Sequence, residues 1–368
     1  MTITNIAQRW NLLQGKLFPM IEEEFGLTTD KHQELVTVID FARVEELVAN
    51  YHGSVGRPQA CRISIACAFL AKAVYNLPTT RALLDRLLCD HVLRRLCGFA
   101  TKRQIPSEAT FSRAFAEFGA SGLVSRLQDA FVKKYHSTRL ICHISRDATA
   151  IEAREKAHYK PKTAVSAPKK KMGRPAKGEA RTQAPLQGLA KQVTLSLGEQ
   201  LANLSKVCDV GTKKNSKGFV ETWKGYKLHI DTADGDIPIS AILTSASVHD
   251  SQVALPLSQI TAKKVTHLYD IMDAAYDAEI IRQNSQALGY VALIDRNKRT
   301  SESTIPFAPH ELERYKARSG AERVNSNLKD NFGGRFVRVR GHAKVFSHLM
   351  FGLFTVTICQ TLRLATAT

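Results

Sequence analysis

Asp147, Asp273 and Glu322 are the side chains whose settings could do chemistry together. Asp147 lies well along Arg139 to Ile151, a run rich in β-branched residues that reads as a strand, on a face shared with Ser145 and His143. Asp273 follows directly on the apolar run from Val265 to Met272. Glu322 falls within Leu312 to Phe332, a stretch of helix-forming composition closed by the Gly333-Gly334 pair. Such a set suits hard divalent cations such as Mg²⁺, which take oxygen ligands, and three carboxylates can share two ions about 4 Å apart in cutting a phosphodiester. Asp270 is a rival for the Asp273 role, but it lies inside its strand and points to the opposite face. Within the late helix, Tyr315, Arg318, Glu322 and Lys329 follow at offsets of three, four and seven residues. At about 100° per residue these four form one narrow stripe, suited to a metal ion and phosphates rather than to a core.

The elements that must position these groups divide near residue 139. Before it, helices are expected over Glu34–Tyr51, Ile63–Tyr75, Thr79–Leu88, from Pro106-Ser107 through Phe118, and from Gly122 to about His136, with a short basic segment at His91–Phe99. Residues 1–138 therefore read as an all-helical N-terminal domain. Its Arg81, Arg86, Arg94, Arg95, Arg103 and Arg113 suit either a helix-turn-helix reader of DNA or a bundle with solvated arginines. Residues 139–368 read as an α/β domain. After the first strand come two strands joined by an Asp-Gly turn (225–245), a helix from Ser251 capped by Asp250, the Val265 strand, a helix (277–288), a strand (289–294) and two closing helices. Strands paired as a hairpin and then alternating with helices imply a mixed sheet flanked by helices. A basic, Pro- and Gly-rich flexible insert is expected at about 156–222.

Composition narrows the partner. With 52 Lys and Arg against 34 Asp and Glu in 368 residues, the formal charge is +18, which favours a polyanion, nucleic acid first among them. The seven cysteines contain no C-x-x-C pair and read as reduced, in the cytoplasm. The apolar run Val345–Leu364 carries Ser347, His348, Gln360 and Arg363 and reads as a buried helix rather than a membrane span.

Tyr315-x2-Arg318-x3-Glu322-x6-Lys329 resembles the Y-R-E-K signature of bacterial insertion-sequence DDE transposases. GYKLHI (225–230), ASVHDS (246–251) and DAAYDAE (273–279) are similar to that family's core blocks, in the same order. The Gly56-Arg57-Pro58 region and PSEATFSRAF (106–115) resemble its N-terminal domain. The resemblance implies an RNase H-like fold in which Asp147, Asp273 and Glu322 form the catalytic triad and bind two Mg²⁺ (or Mn²⁺) ions. It implies that Tyr315, Arg318 and Lys329 contact phosphates at the element's end. It also implies that double-stranded DNA, both transposon ends and target, is the partner, and that a homodimer acts in the synaptic complex. The chain departs from better-known members in having no room for a β-rich insertion between Asp273 and Glu322.

Secondary features have two readings each. Arg174, within Gly173-Arg174-Pro175, with Lys169, Lys170 and Lys171, is either an AT-hook-like DNA contact or part of a basic linker that binds DNA non-specifically. His249-Asp250 is a helix cap or a support beside the metal site. Asp231, Asp234 and Asp236 belong to a hairpin turn and lack calcium-loop spacing. Trp223 and Tyr226 form a stacking platform or the start of a half-buried strand.

Overall fold

The computed structural model describes residues 3–48, 59–158, 188–214, 218–297 and 306–367. Gly56-Arg57-Pro58, Lys169, Lys170, Lys171 and Arg174 lie outside the described residues. The N-terminal part runs α1 (Ile3–Leu12), α2 (Phe18–Phe25), α3 (Asp30–Ala42), α4 (Arg62–Val74), α5 (Thr80–Cys89), α6 (His91–Leu96), α7 (Glu108–Ser121) and α8 (Leu123–His136). Local chemistry sets these boundaries. The Thr79 hydroxyl accepts the Ala82 N–H at 3.0 Å to start α5, and Asp90 accepts the Leu93 N–H at 2.9 Å to start α6. Gly122, at φ +61°, takes the left-handed conformation that separates α7 from α8.

The second part continues as β1 (Leu140–Glu152), α9 (Leu189–Val193), α10 (Leu197–Asn203), β2 (Asp209–Lys214), β3 (Val220–Ala233), β4 (Ile237–Ser245), α11 (Ser251–Ala262), β5 (Thr266–Met272), α12 (Glu279–Ala287), β6 (Val291–Ile294), α13 (Pro309–Tyr315), α14 (Ser319–Asn331) and α15 (His342–Ala367). The sheet runs β4-β3-β1-β5-β6, with β2 paired to the first half of β3. β3 is antiparallel to β1 and β4, whereas β5 lies parallel to both β1 and β6. This mixed sheet with helices on both faces is the expected RNase H-like arrangement, preceded by the expected helical region. Left-handed Gly235 and Asp236 make the β3–β4 turn.

Two expectations need correction. Part of the range assigned to a flexible insert is folded: α9, α10 and β2 occupy 189–214, and the Gln192 amide anchors α9 to α11 by donating to the Gln252 carbonyl at 2.7 Å. The capping box at Ser196 and Glu199 explains a helix in a segment that composition alone reads as linker. Nor does residue 138 separate two cores. A single cluster joins Phe41, Phe69, Phe115 and Phe131 to Phe351 and Phe354 of α15 and to Tyr226, Leu228 and Ile230 of β3. Helix α15 is long and apolar enough to cross a membrane, but it is the buried axle between helical region and sheet.

Candidate active site

Parallel pairing of β1 with β5 sets Arg146 beside Met272, so the chain delivers Asp147 and Asp273 one residue further on, at neighbouring strand positions. The carboxyl side of adjacent parallel strands is where α/β sheets bind ligands. The 3₁₀ turn Lys316–Arg318 is pinned there. Ser145 donates from its hydroxyl to the Ala317 carbonyl at 3.0 Å, and the Tyr315 hydroxyl donates to the Met272 carbonyl at 3.3 Å. From this turn α14 departs, held at its start by the Arg323 guanidinium, which grips both Asp236 oxygens at 2.7 Å.

The expected helix over 312–332 is present as α13, one 3₁₀ turn and α14 in direct succession, and Arg318 meets Glu322 one turn on. The tighter 3₁₀ winding coincides with the ties to β1 and β5. Tyr315 lies against the end of β5 and packs on Phe307 with ring centroids 4.9 Å apart. Arg318 donates to the Glu322 carboxylate at 2.6 Å. Lys329 lies near the other end of α14, where its charge is felt by Lys213, Arg335, Asp330 and Glu152. The helix stops as expected at Gly333 (φ +82°), where the Gly334 N–H donates to the Leu328 carbonyl at 2.9 Å.

Asp147 is the most perturbed carboxyl of the set. Burial first, then the negative charges of Asp273 and Glu322, push it up to about 6, against the opposing Ala148 backbone N–H and the Arg318 charge. Burial also raises Asp273, helped by the charges of Asp250 and Asp295, although one Asp273 oxygen accepts the Ala275 N–H at 3.0 Å. Glu322 is more than half exposed. Asp147 thus feels the charges of both Asp273 and Glu322, with Arg318 as the opposing cation. Among the described residues, no three His, Cys, Asp or Glu side chains are already drawn together as a metal shell. Glu322 instead turns to Arg318. The donor set itself fits a hard divalent cation: oxygen ligands only, one of them buried and held uncomfortably beside like charge.

Asn325 was not picked out from the sequence, yet its amide donates to Asp147 Oδ2 at 2.8 Å and fixes that carboxyl. It lies three residues after Glu322, and that helical spacing was the available signal. Arg146 was missed as well. Its guanidinium is buried and grips Asp231 at 2.7 and 2.8 Å, while Nη1 reaches the Met272 sulfur at 3.3 Å. Thr261 of α11 donates to the same Asp231 carboxylate at 2.7 Å. A charged residue inside a strand-like run was the only hint.

The remaining candidates resolve individually. Asp270 is buried and bound by His267 (2.9 Å) and Ser285 (2.7 Å), which removes it as a rival to Asp273. Asp250 does not cap α11. Its carboxylate accepts from Lys227 at 2.9 Å, and the ring of His249 accepts the Ser251 N–H at 3.3 Å. Asp231, Asp234 and Asp236 go to Arg146, His143 and Arg323 respectively, so they share no ligand. Trp223 and Tyr226 are buried, the Trp223 ring lying so close over Gly211 that a Cβ there would come within 2.4 Å of it. In the helical region Arg81, Arg86 and Arg95 are in ion pairs and Arg94 is buried, donating to the Leu87 carbonyl.

Comparison with known families gives two matches. Residues 21–117 match the family described as Transposase domain (DUF772), and residues 202–358 match the Transposase DDE domain. Together they span well over half of the chain. Asp273 and Glu322 fall inside the second match, and Asp147 falls between the two. No curated protein and no solved structure matches the chain.

Proposed function

Because the chain belongs to the DDE transposases of insertion sequences, we propose that it binds the terminal inverted repeats of its element and cuts and joins DNA there. In this reading Asp147, Asp273 and Glu322 are the catalytic carboxylates. Water attacks the phosphodiester at the element's end and a 3′-OH leaves. That 3′-OH then attacks a target phosphodiester, forming one bond to phosphorus as the target's own 3′ oxygen departs. Mg²⁺ (or Mn²⁺) ions held by Asp147, Asp273 and Glu322 would supply Lewis-acid polarisation of the phosphate and stabilise charge on the leaving oxygen. The chain's own groups do the rest. Asn325 orients Asp147, while the end of α13 and the 3₁₀ turn carry Tyr315 and Arg318 against β1 and the end of β5. Arg318, Tyr315 and Lys329 hold phosphates, Arg318 as a fork and Lys329 as a point charge. The basic segment containing Lys169, Lys170, Lys171 and Arg174 adds contacts to DNA outside the active site. The enzyme works as a homodimer across paired ends, in the cytoplasm on nucleoid DNA.

The observation that supports this most is that Asp147 and Asp273 directly follow the last paired residues of parallel β1 and β5, with Glu322 among the charges acting on Asp147. Incubation of the protein with terminal-repeat DNA, target plasmid and Mg²⁺ tests it. Joined products are expected. Cleavage without any joined product would leave a nuclease and sink the transposase chemistry; binding without cleavage would leave a DNA-binding protein only.

A further inference from the structure

Beyond Lys329 the chain reads Arg335-Phe336-Val337-Arg338-Val339-Arg340, in neither helix nor strand. Burial alternates along it: Val337 is buried and Val339 half-buried, whereas Arg338 and Arg340 are exposed. A period-two pattern turns the valines to the core and aims both arginines outward on one side. Neither Arg338 nor Arg340 makes a hydrogen bond or ion pair among the described residues, whereas Arg335 pairs with Asp330. The cations do not stand alone. Lys329, lowered first by burial, is lowered further by the like charges of Lys213 on β2 and Arg335, with only partial relief from Asp330 and Glu152. Positive charge therefore accumulates where α14 ends. Glu322 and Lys329 lie on the same helix, seven residues apart, which is roughly 10 Å along its axis at 1.5 Å per residue.

We propose that Lys329, Arg338 and Arg340 form a track that grips the sugar-phosphate backbone of duplex DNA flanking the cut. The proposal rests on the DNA-cutting function above and assigns that function a second contact surface. The scale fits. At about 3.4 Å of rise per nucleotide, the track begins about three nucleotides from the scissile phosphate. In an extended chain Arg338 and Arg340 are about 7 Å apart, the rise of two nucleotides.

The test uses the full chain and fluorescent terminal-repeat duplex, with affinity measured from 50 to 200 mM salt. Arg338→Gln and Arg340→Gln change exposed side chains, and circular dichroism checks that each variant folds. Each is expected to make the plot of log affinity against log salt shallower by about 0.9, and the double variant by about 1.8. Lys16→Gln, exposed on the far N-terminal region, is expected to leave the slope as in wild type. Unchanged slopes in the arginine variants, or an equal change in Lys16→Gln, would overturn the track. If wild type binds the duplex with the expected slopes but never cuts it, the catalytic reading fails and the track stands. If wild type cuts and the slopes do not move, only the track fails.

Discussion

Arg146 and Asp147 are consecutive on β1 and leave opposite faces of the sheet, and the two faces treat charge in opposite ways. Toward α11 and α12 the buried charges of Arg146, Asp231 and Asp270 are matched. Arg146 is forked to Asp231, Asp231 also takes the Thr261 hydroxyl, and Asp270 is shared between His267 and Ser285. Toward α14 the account is left open. Asp147 takes the Asn325 amide and the Ala148 backbone N–H, yet burial with the charges of Asp273 and Glu322 still pushes it up to about 6. Closing one and leaving the other poised is the arrangement a cation-dependent site needs, because an incoming ion gains most where carboxylates are unsatisfied. The closed face also does positional work: Arg146 touches Asp231 and the Met272 sulfur, and so ties together the residues that directly precede Asp147 and Asp273.

The comparison breaks most visibly at the fork. Arg146→Met alone strands Asp231 without its cation and is expected to cost about 3–5 kcal/mol in chemical denaturation, whereas the Arg146→Met, Asp231→Met double variant should recover most of that. Equal losses in both would mean that the pair's charge is not what the closed face depends on. The open face has a pH signature. A carboxyl raised in the folded state binds its proton more tightly folded than unfolded. Its contribution to stability is full below the ordinary carboxylate range and is lost as pH rises through about 6. Relative to Asp147→Asn, metal-free wild type should lose roughly 2–3 kcal/mol between pH 4 and pH 8, and added Mg²⁺ should restore stability at the upper end. A wild-type curve parallel to the variant's would contradict this.

Smaller effects sharpen the contrast. Asn325→Ala leaves the fold but frees Asp147, and cleavage of end DNA should fall about tenfold to a hundredfold, as for other residues that orient metal-binding side chains. Ser285→Ala removes one bond to Asp270 on the closed face and should cost about 1 kcal/mol of stability, with cleavage unchanged when measured well below the melting temperature. A catalytic loss in Ser285→Ala as large as that in Asn325→Ala would erase the distinction between the faces.

Much of this was legible in the sequence because its signals were local. β-Branched runs marked the strands, Thr79 marked a helix start, Asp-Gly the hairpin turn and Gly333 a helix stop, and the structure has each of them. The positions of Asp147 within the first strand and of Asp273 just past the end of another followed from the same runs. What local pattern could not supply was the cross-chain partner. Arg146 meets Asp231 across a strand pair, and Asn325 meets Asp147 from a helix far along the chain. Nor could it supply the 3₁₀ turn within the expected 312–332 helix, which coincides with the ties of Ser145 and Tyr315 between that segment and the sheet. The shared core around α15 was hidden for a related reason: composition reports that a helix is buried, not which elements bury it.

The central claim is that Asp147, Asp273 and Glu322 act as one cation-dependent cutting site. Single-turnover cleavage of terminal-repeat DNA in Mg²⁺, with Asp147→Asn, Asp273→Asn and Glu322→Gln each verified as folded, measures it directly. Each substitution is expected to reduce the cleavage rate by about a thousandfold or more. Full Mg²⁺-dependent cleavage by any one of the three would contradict the account.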